Sequence, residues 1–229
     1  MEKPHLVLLH AALGNSGQMA GVAAQLETRF CVHNFQFPGH DGVDPDAHIC
    51  LNALVQSVEA YLMHQKLERP TVLGNSLGGY VAALLEARKP GSIGSLITFA
   101  TKWFWDEATV RKEQSKLVPA TILEKAPSFA TQLQHMFGPN WEEVVRATGR
   151  LLDEVPRNPV PYGQVSVPVW VFRGDQDKWV TEAESIQAAQ SFPKGKFQEI
   201  SGAGHGIHSV SGEIWDRLAR QIFGKPAAL

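Results

Sequence analysis

The chain has 229 residues, 44% of them hydrophobic and 19% charged, with a formal net charge of −2. That suits one globular domain with a sizeable core. No basic run points to nucleic acid, and no apolar span of about 18 residues points to a membrane. Cys31 and Cys50 are the two cysteines, too few for a disulfide framework and without metal-ligand spacing. The nine histidines include no His-Glu-x-x-His cluster. Met1-Glu2-Lys3-Pro4 leads directly into a strand with no leader-like apolar region, so the expected compartment is the cytoplasm.

Leu6-Val7-Leu8-Leu9 is a continuous apolar run, as in a strand buried on both faces. A loop at His10-Ala11-Ala12-Leu13-Gly14-Asn15 follows, then a helix from Ser16 or Gly17 to Glu27. Cys31, His33, Phe35 and Phe37 alternate as a second strand, which Pro38-Gly39-His40-Asp41-Gly42 breaks. Asp44-Pro45 predicts a helix start, with Asp44 as N-cap and Pro45 at the first helical position. Leu51, Leu54, Val55, Val58, Tyr61 and Leu62 recur at helical spacing and define one buried face.

Thr71-Val72-Leu73 then runs into Gly74-Asn75-Ser76-Leu77-Gly78-Gly79, followed by a helix to Arg88 with Val81, Leu84 and Leu85 as its apolar stripe. A serine between glycines at a strand-to-helix joint is the nucleophile-elbow pattern. Such a turn strains the backbone at the serine and needs small neighbours for the chain to pass. The hydroxyl then stands at a helix N-terminus, which favours developing negative charge. A glycine–serine turn also arises by chance, so the motif takes its weight from its partners.

Ile93 to Phe99 is the next strand. Alternation of strand and helix to this point implies a parallel sheet covered on both faces, with functional loops at the carboxyl ends of the strands. From about Thr101 to Val167 the pattern turns purely helical. Phe129, Leu133, Met136 and Phe137 share one face; Trp141, Val144, Val145, Leu151, Leu152 and Val155 share another. We read residues 101–167 as a helical cap inserted into a core formed by 1–100 and 168–229. Most of its aromatics should pack against the core, but a cap also buries ligand against the strand ends. Trp103, Phe104, Trp105, Met136 and Phe137 are the candidate pocket residues. Val169-Trp170-Val171-Phe172 and Phe197 to Ile200 are the last strands, and a helix from about Glu182 to Ser191 lies between them. Ile207, Val210, Ile214, Leu218 and Ile222 mark the face of a final helix.

Three reactive side chains now stand beyond the ends of three parallel strands, in the order Ser76, Asp177, His205. A serine needs a base, histidine titrates near neutrality, and a carboxylate fixes the histidine tautomer. His208, one helical turn from His205, is read as a structural or pocket residue, because His205 has the glycine flanks.

Over nearly its whole length the chain resembles the α/β-hydrolase superfamily, through the Gly-Asn-Ser-Leu-Gly-Gly elbow, the Gly-Asp-Gln-Asp loop and the Gly-Ala-Gly-His loop. The resemblance implies a mostly parallel sheet of about six strands with helices on both faces, lacking the customary first hairpin. It implies Ser76 as nucleophile, His205 as base, and Asp177 rather than Asp175 as the acid. His10-Ala11-Ala12 is similar to the family's His-Gly-x loop, which implies the backbone N–H groups of Ala12 and Leu77 as the oxyanion hole, with His10 in support. The expected activity is cleavage of a small carboxylic ester through an acyl-enzyme, by a monomer or small homo-oligomer. No metal or organic cofactor is implied. A C–C, amide, lactone or thioester bond is an alternative target, and a non-catalytic ligand receptor on the same fold is a third reading.

Overall fold

The structure is a computed structural model that describes residues 3–41 and 43–224. Gly42 of the predicted loop and Met1 and Glu2 of the N-terminus lie outside the described residues. Six parallel strands make one sheet: β1 (His5–Leu9), β2 (Cys31–Phe35), β3 (Thr71–Asn75), β4 (Ser95–Phe99), β5 (Val169–Gly174) and β6 (Gly195–Ile200). Their order across the sheet is β2-β1-β3-β4-β5-β6. The chain therefore leaves β1 toward one edge and returns beside it as β3 to build toward the other. This reversal is the topological switch point at which open α/β sheets form their crevice.

Alternate residues of the strands feed two cores. Val7, Leu9, Val72, Leu96, Val169 and Val171 pack with α3 (Leu51–His64), α4 (Leu77–Arg88) and α9 (Glu182–Ser191). Leu6, Leu8, Leu73, Ile97, Phe99 and Phe172 pack with α1 (Ala20–Leu26) and α10 (Gly212–Phe223). Period-two alternation with apolar residues on both faces is why these strands read as unbroken apolar runs.

The N-terminal helix begins as a 3-10 turn, Ser16–Met19, before α1. The helix expected after Asp44 is interrupted. A single turn, α2 (Pro45–His48), ends where Ile49 turns into the core, and α3 begins after Cys50. Asp44 does not cap α2. Its φ of 44° places it in the left-handed region, and its side chain makes no capping bond. A capping side chain needs an extended backbone to reach back to the first turn. The N–H of Leu51, opening α3, is instead taken by the Glu154 carboxylate (2.9 Å) from 103 residues away. The last helix starts at Gly212, capped by Ser211, so Ile207 and Val210 precede it, Ile207 within a 3-10 turn. Its buried face is Trp215, Leu218 and Ala219.

Between β4 and β5 the described chain is helical: α5 (Glu107–Gln114), α6 (Pro119–Lys125), α7 (Pro127–Phe137) and α8 (Trp141–Leu151), with short 3-10 turns between and after them. The expected face of α8 is buried as a whole, and it continues through Leu152 and Val155. On α7 the buried residues are Ala130, Leu133 and Phe137, while Phe129 is exposed, so Ala130 takes the place expected of Phe129 and the rest of the stripe stands as predicted. No described helix is long and apolar enough to cross a membrane.

Candidate active site

Ser76 stands between the last residue of β3 and the first of α4, with φ 51° and ψ −113°. A left-handed φ is costly for a residue with a Cβ, and the surroundings hold it there. Its N–H donates to Phe99 C=O (2.8 Å), and its C=O accepts from Thr101 Oγ1 (3.0 Å). Phe99 is the last residue of the neighbouring strand β4 and Thr101 lies two residues beyond it. Glycine is required on either side for space. A Cβ on Gly74 would lie 2.3 Å from Gly79 N, and one on Gly78 only 2.4 Å from Leu9 C=O. The second contact shows how tightly the start of α4 abuts the end of β1, where His10-Ala11-Ala12 begins.

That loop is fixed from beneath by His10, which is fully buried. Its Nε2 accepts the N–H of Phe37 (3.1 Å), so Nδ1 carries the proton and donates to Ala11 C=O (2.8 Å). Burial, and next the nearby His40 ring, push its pKa down to about 3 despite the Ala11 bond. His40, also buried, is lowered chiefly by burial. Gly14 N–H closes the turn onto Ala11 C=O (3.2 Å). Leu77, the first residue of α4, has an N–H with no intrahelical acceptor.

Asp177 and His205 meet across the ends of β5 and β6. His205 Nδ1 lies 2.9 Å from Asp177 Oδ2, with the carboxylate buried and the imidazole partly exposed. Asp177 Oδ1 accepts the N–H groups of Trp179 (2.8 Å) and Val180 (3.0 Å). Burial works to raise the Asp177 pKa. The bonds from His205, Val180 and Trp179 outweigh it and hold the carboxyl below its ordinary range. Asp175 is used differently: it accepts Gly202 N–H (2.8 Å) and Ser201 Oγ (3.2 Å), tying the β5 loop to the β6 loop. His208 is exposed.

Several residues at the site escaped the sequence reading. Buried Arg173 clamps the acid loop, donating to Asp177 C=O (2.9 Å) and Val180 C=O (2.7 Å) while it pairs with Glu199. Trp179 packs on His205, ring centroids 4.8 Å apart, and Lys116 from the helical segment sits 5.9 Å above the Trp179 ring. Trp179 had a legible signal, an aromatic two residues after the acid. Glu184 on α9 pairs with Lys102 (3.1 Å) and accepts the N–H groups of Trp103 (2.8 Å) and Phe104 (3.2 Å).

The candidate pocket residues separate. Trp103, Phe104 and Trp105 line a cavity of about 400 Å³ together with Tyr80 and Tyr162. Its lining includes neither Ser76 nor His205; Tyr80, one turn along α4, is its link to the elbow. Met136 and Phe137 lie on α7, Phe137 buried and Met136 half-buried, and neither lines this cavity.

The parallel sheet with its strained serine elbow at the switch point defines a class, and the chain belongs to it: residues 6–220 match the alpha/beta hydrolase family. Among characterised relatives it is similar to the pimeloyl-[acyl-carrier protein] methyl ester esterase of Chromobacterium violaceum, 28% identical over 88% of this chain and 87% of that one. A shorter match, 36% identical over 43% of this chain and 37% of the other, is to the enzyme of the same name from Nitrosomonas europaea. Among solved structures, NosK from Streptomyces actuosus superimposes with a TM-score of 0.77 at 20% identity, over 95% of this chain and 96% of that one.

Proposed function

We propose that this chain is a serine hydrolase that cleaves a small carboxylic ester through an acyl-enzyme. The observation that carries the reading is the pairing of His205 with the buried Asp177 carboxylate at the ends of β5 and β6, together with the strained Ser76 elbow at the end of β3. Family membership supports hydrolase chemistry. The name of the Chromobacterium relative, alike over most of both chains, supports an ester as the bond.

With Nδ1 held by Asp177, His205 presents Nε2 to accept the Ser76 proton as Oγ attacks the ester carbonyl. The N–H groups of Ala12 and Leu77 stabilise the oxyanion. His205 returns the proton to the departing alcohol, which leaves the acyl group on Ser76. The same nitrogen then activates water, and the acid is released as Oγ regains its proton. Asp177 stays ionised throughout, since its hydrogen bonds keep its pKa low.

Residues 101–167 are proposed to cap the strand ends over a core of 1–100 and 168–229, and Lys116 above Trp179 is one place where they meet. The acyl-binding surface would draw on Trp103, Phe104 and Trp105 through the cavity shared with Tyr80, and on Met136 and Phe137 from α7. The test compares wild type and Ser76→Ala on short-chain nitrophenyl esters and with a fluorophosphonate probe. Hydrolysis and labelling should both vanish in the variant. Equal activity in the two proteins would overturn the reading. The mass of the adduct trapped on Ser76 identifies the acyl group, and so separates an ester from a lactone or C–C target.

A further inference from the structure

The edge of the sheet holds a second group of reactive side chains, at the opposite end of the strands from Ser76. Register sets His5 of β1 opposite Cys31 of β2, and Val7 opposite His33. Side chains alternate along a strand, so Cys31 and His33 share a face, and His5 joins them across the pair. His5 Nδ1 lies 2.9 Å from His33 Nε2, and one donor atom from each of the three residues lies within 4.8 Å of the others. The other nitrogen of His33, Nδ1, is 3.1 Å from Tyr61 Oη on α3. If Nδ1–H is donated to that oxygen, Nε2 is left as a lone pair aimed at the cluster.

We propose that His5, Cys31 and His33 bind a divalent transition ion of the zinc class, with Tyr61 as a positioning residue behind His33 and water in the fourth place. Two imidazoles and a thiolate are the donors such ions prefer, and three protein ligands plus water make an open tetrahedral site. From zinc bond lengths, a tetrahedron needs roughly 3.3 Å between nitrogens and roughly 3.6 Å from nitrogen to sulfur. The two nitrogens, 2.9 Å apart, need to part by a few tenths of an ångström, and Cys31, a free cysteine exposed at the start of the edge strand, has its donor within 4.8 Å of both histidines. A hydrogen bond from the far nitrogen of a ligating histidine fixes its tautomer and orientation, the part Tyr61 plays here.

Binding releases one proton, from the Cys31 thiol. The His5 proton moves from Nδ1 to Nε2 without net loss, and no electron is transferred. The ion would tie edge strand β2 to β1 through its three protein ligands, with the water position left open to solvent.

The test titrates Co²⁺ into the reduced full-length protein at neutral pH. The expected result is a 1:1 complex with a thiolate-to-cobalt charge-transfer band and d–d bands of tetrahedral intensity, reversed by Zn²⁺. Cys31→Ser should abolish the charge-transfer band, Cys50→Ser should leave it intact, and Tyr61→Phe should weaken binding about tenfold. Zn²⁺ should raise the Tm of wild type but not of Cys31→Ser, with ester hydrolysis unchanged in both. Absence of the band, its survival in Cys31→Ser, or its loss in Cys50→Ser each overturns the proposal. Cys31→Ser changes one atom of an exposed residue, so a folding defect does not confuse the result.

Discussion

His10 makes a sharp test of how the loop after β1 is held. In the native protein its pKa is about 3, against 6.5 for a free histidine. Above pH 6.5 both the native and the unfolded chain carry it neutral. As pH falls below 6.5 the unfolded chain takes up a proton that the native state refuses until about pH 3. Stability is therefore fully present above 6.5 and is lost progressively down to about 3. At 1.36 kcal/mol per unit, the loss on moving from pH 7.5 to 5.0 is about 2 kcal/mol, with a limit of about 5 kcal/mol at lower pH. His10→Gln removes the titration yet can still accept the Phe37 N–H. It should be less stable than wild type at pH 7.5 but lose about 2 kcal/mol less on acidification. Urea unfolding of both proteins at the two pH values reads this double difference, in which acid-sensitive groups common to both cancel. If the two lose stability in parallel, within about 0.5 kcal/mol, His10 is not a buried neutral imidazole and the reasoning fails.

Other consequences follow from the same geometry. Asp177→Asn keeps an acceptor for the Trp179 and Val180 N–H groups but turns an amide toward His205. It should cut kcat by about 10⁴ with little change in Tm, as expected when the tautomer is wrong; a loss under tenfold would remove Asp177 from the mechanism. Ser76→Gly should be inactive yet about 1 kcal/mol more stable than Ser76→Ala, because glycine relieves the left-handed φ; equal stabilities would show no strain. Gly78→Ala should destabilise by about 3 kcal/mol, since its methyl would meet Leu9 C=O; a neutral effect in thermal melts would mean that the elbow and β1 are not in close contact. Glu184→Ala leaves Lys102 unpaired and the Trp103 and Phe104 N–H groups unmet. It should cost about 2 kcal/mol in urea unfolding, and Glu184→Gln should recover part of that.

The strands were legible because a parallel sheet buried on both faces leaves unbroken apolar runs, as in Leu6 to Leu9 and Val169 to Phe172. The elbow was legible because close approach at Gly74 and Gly78 excludes every larger residue. Features set by distant partners left no local trace. Nothing near Leu51 announces that Glu154 will cap its helix, and Asp44 has the composition of a cap without its backbone. The candidate pocket residues are alike in being large and apolar but do not share a place, since Trp103 to Trp105 lie in the loop after β4 and Met136 and Phe137 on α7. His5, Cys31 and His33 show no metal spacing in the sequence, because strand register, rather than a short sequence motif, brings them together.

The stretch from Phe99 to Phe104 is pinned repeatedly to the sheet domain. Ser76 N–H and Asn75 Nδ2 both donate to Phe99 C=O, Ala100 N–H donates to Phe172 C=O, Thr101 holds the Ser76 carbonyl, and Glu184 holds Trp103 and Phe104. On the return, Tyr80 Oη grips Asn158 C=O (3.0 Å). Residues 105–157 thus run between two attachments that lie beside the elbow and its helix, and add their own contacts through Glu154 and Lys116. Under the proposed reading of residues 101–167 as a cap, the helical segment can be treated as a cassette. Exchanging it for one of another sequence, with Glu154 retained to cap α3, should change which molecules reach Ser76 while leaving Ser76, Asp177 and His205 where they stand.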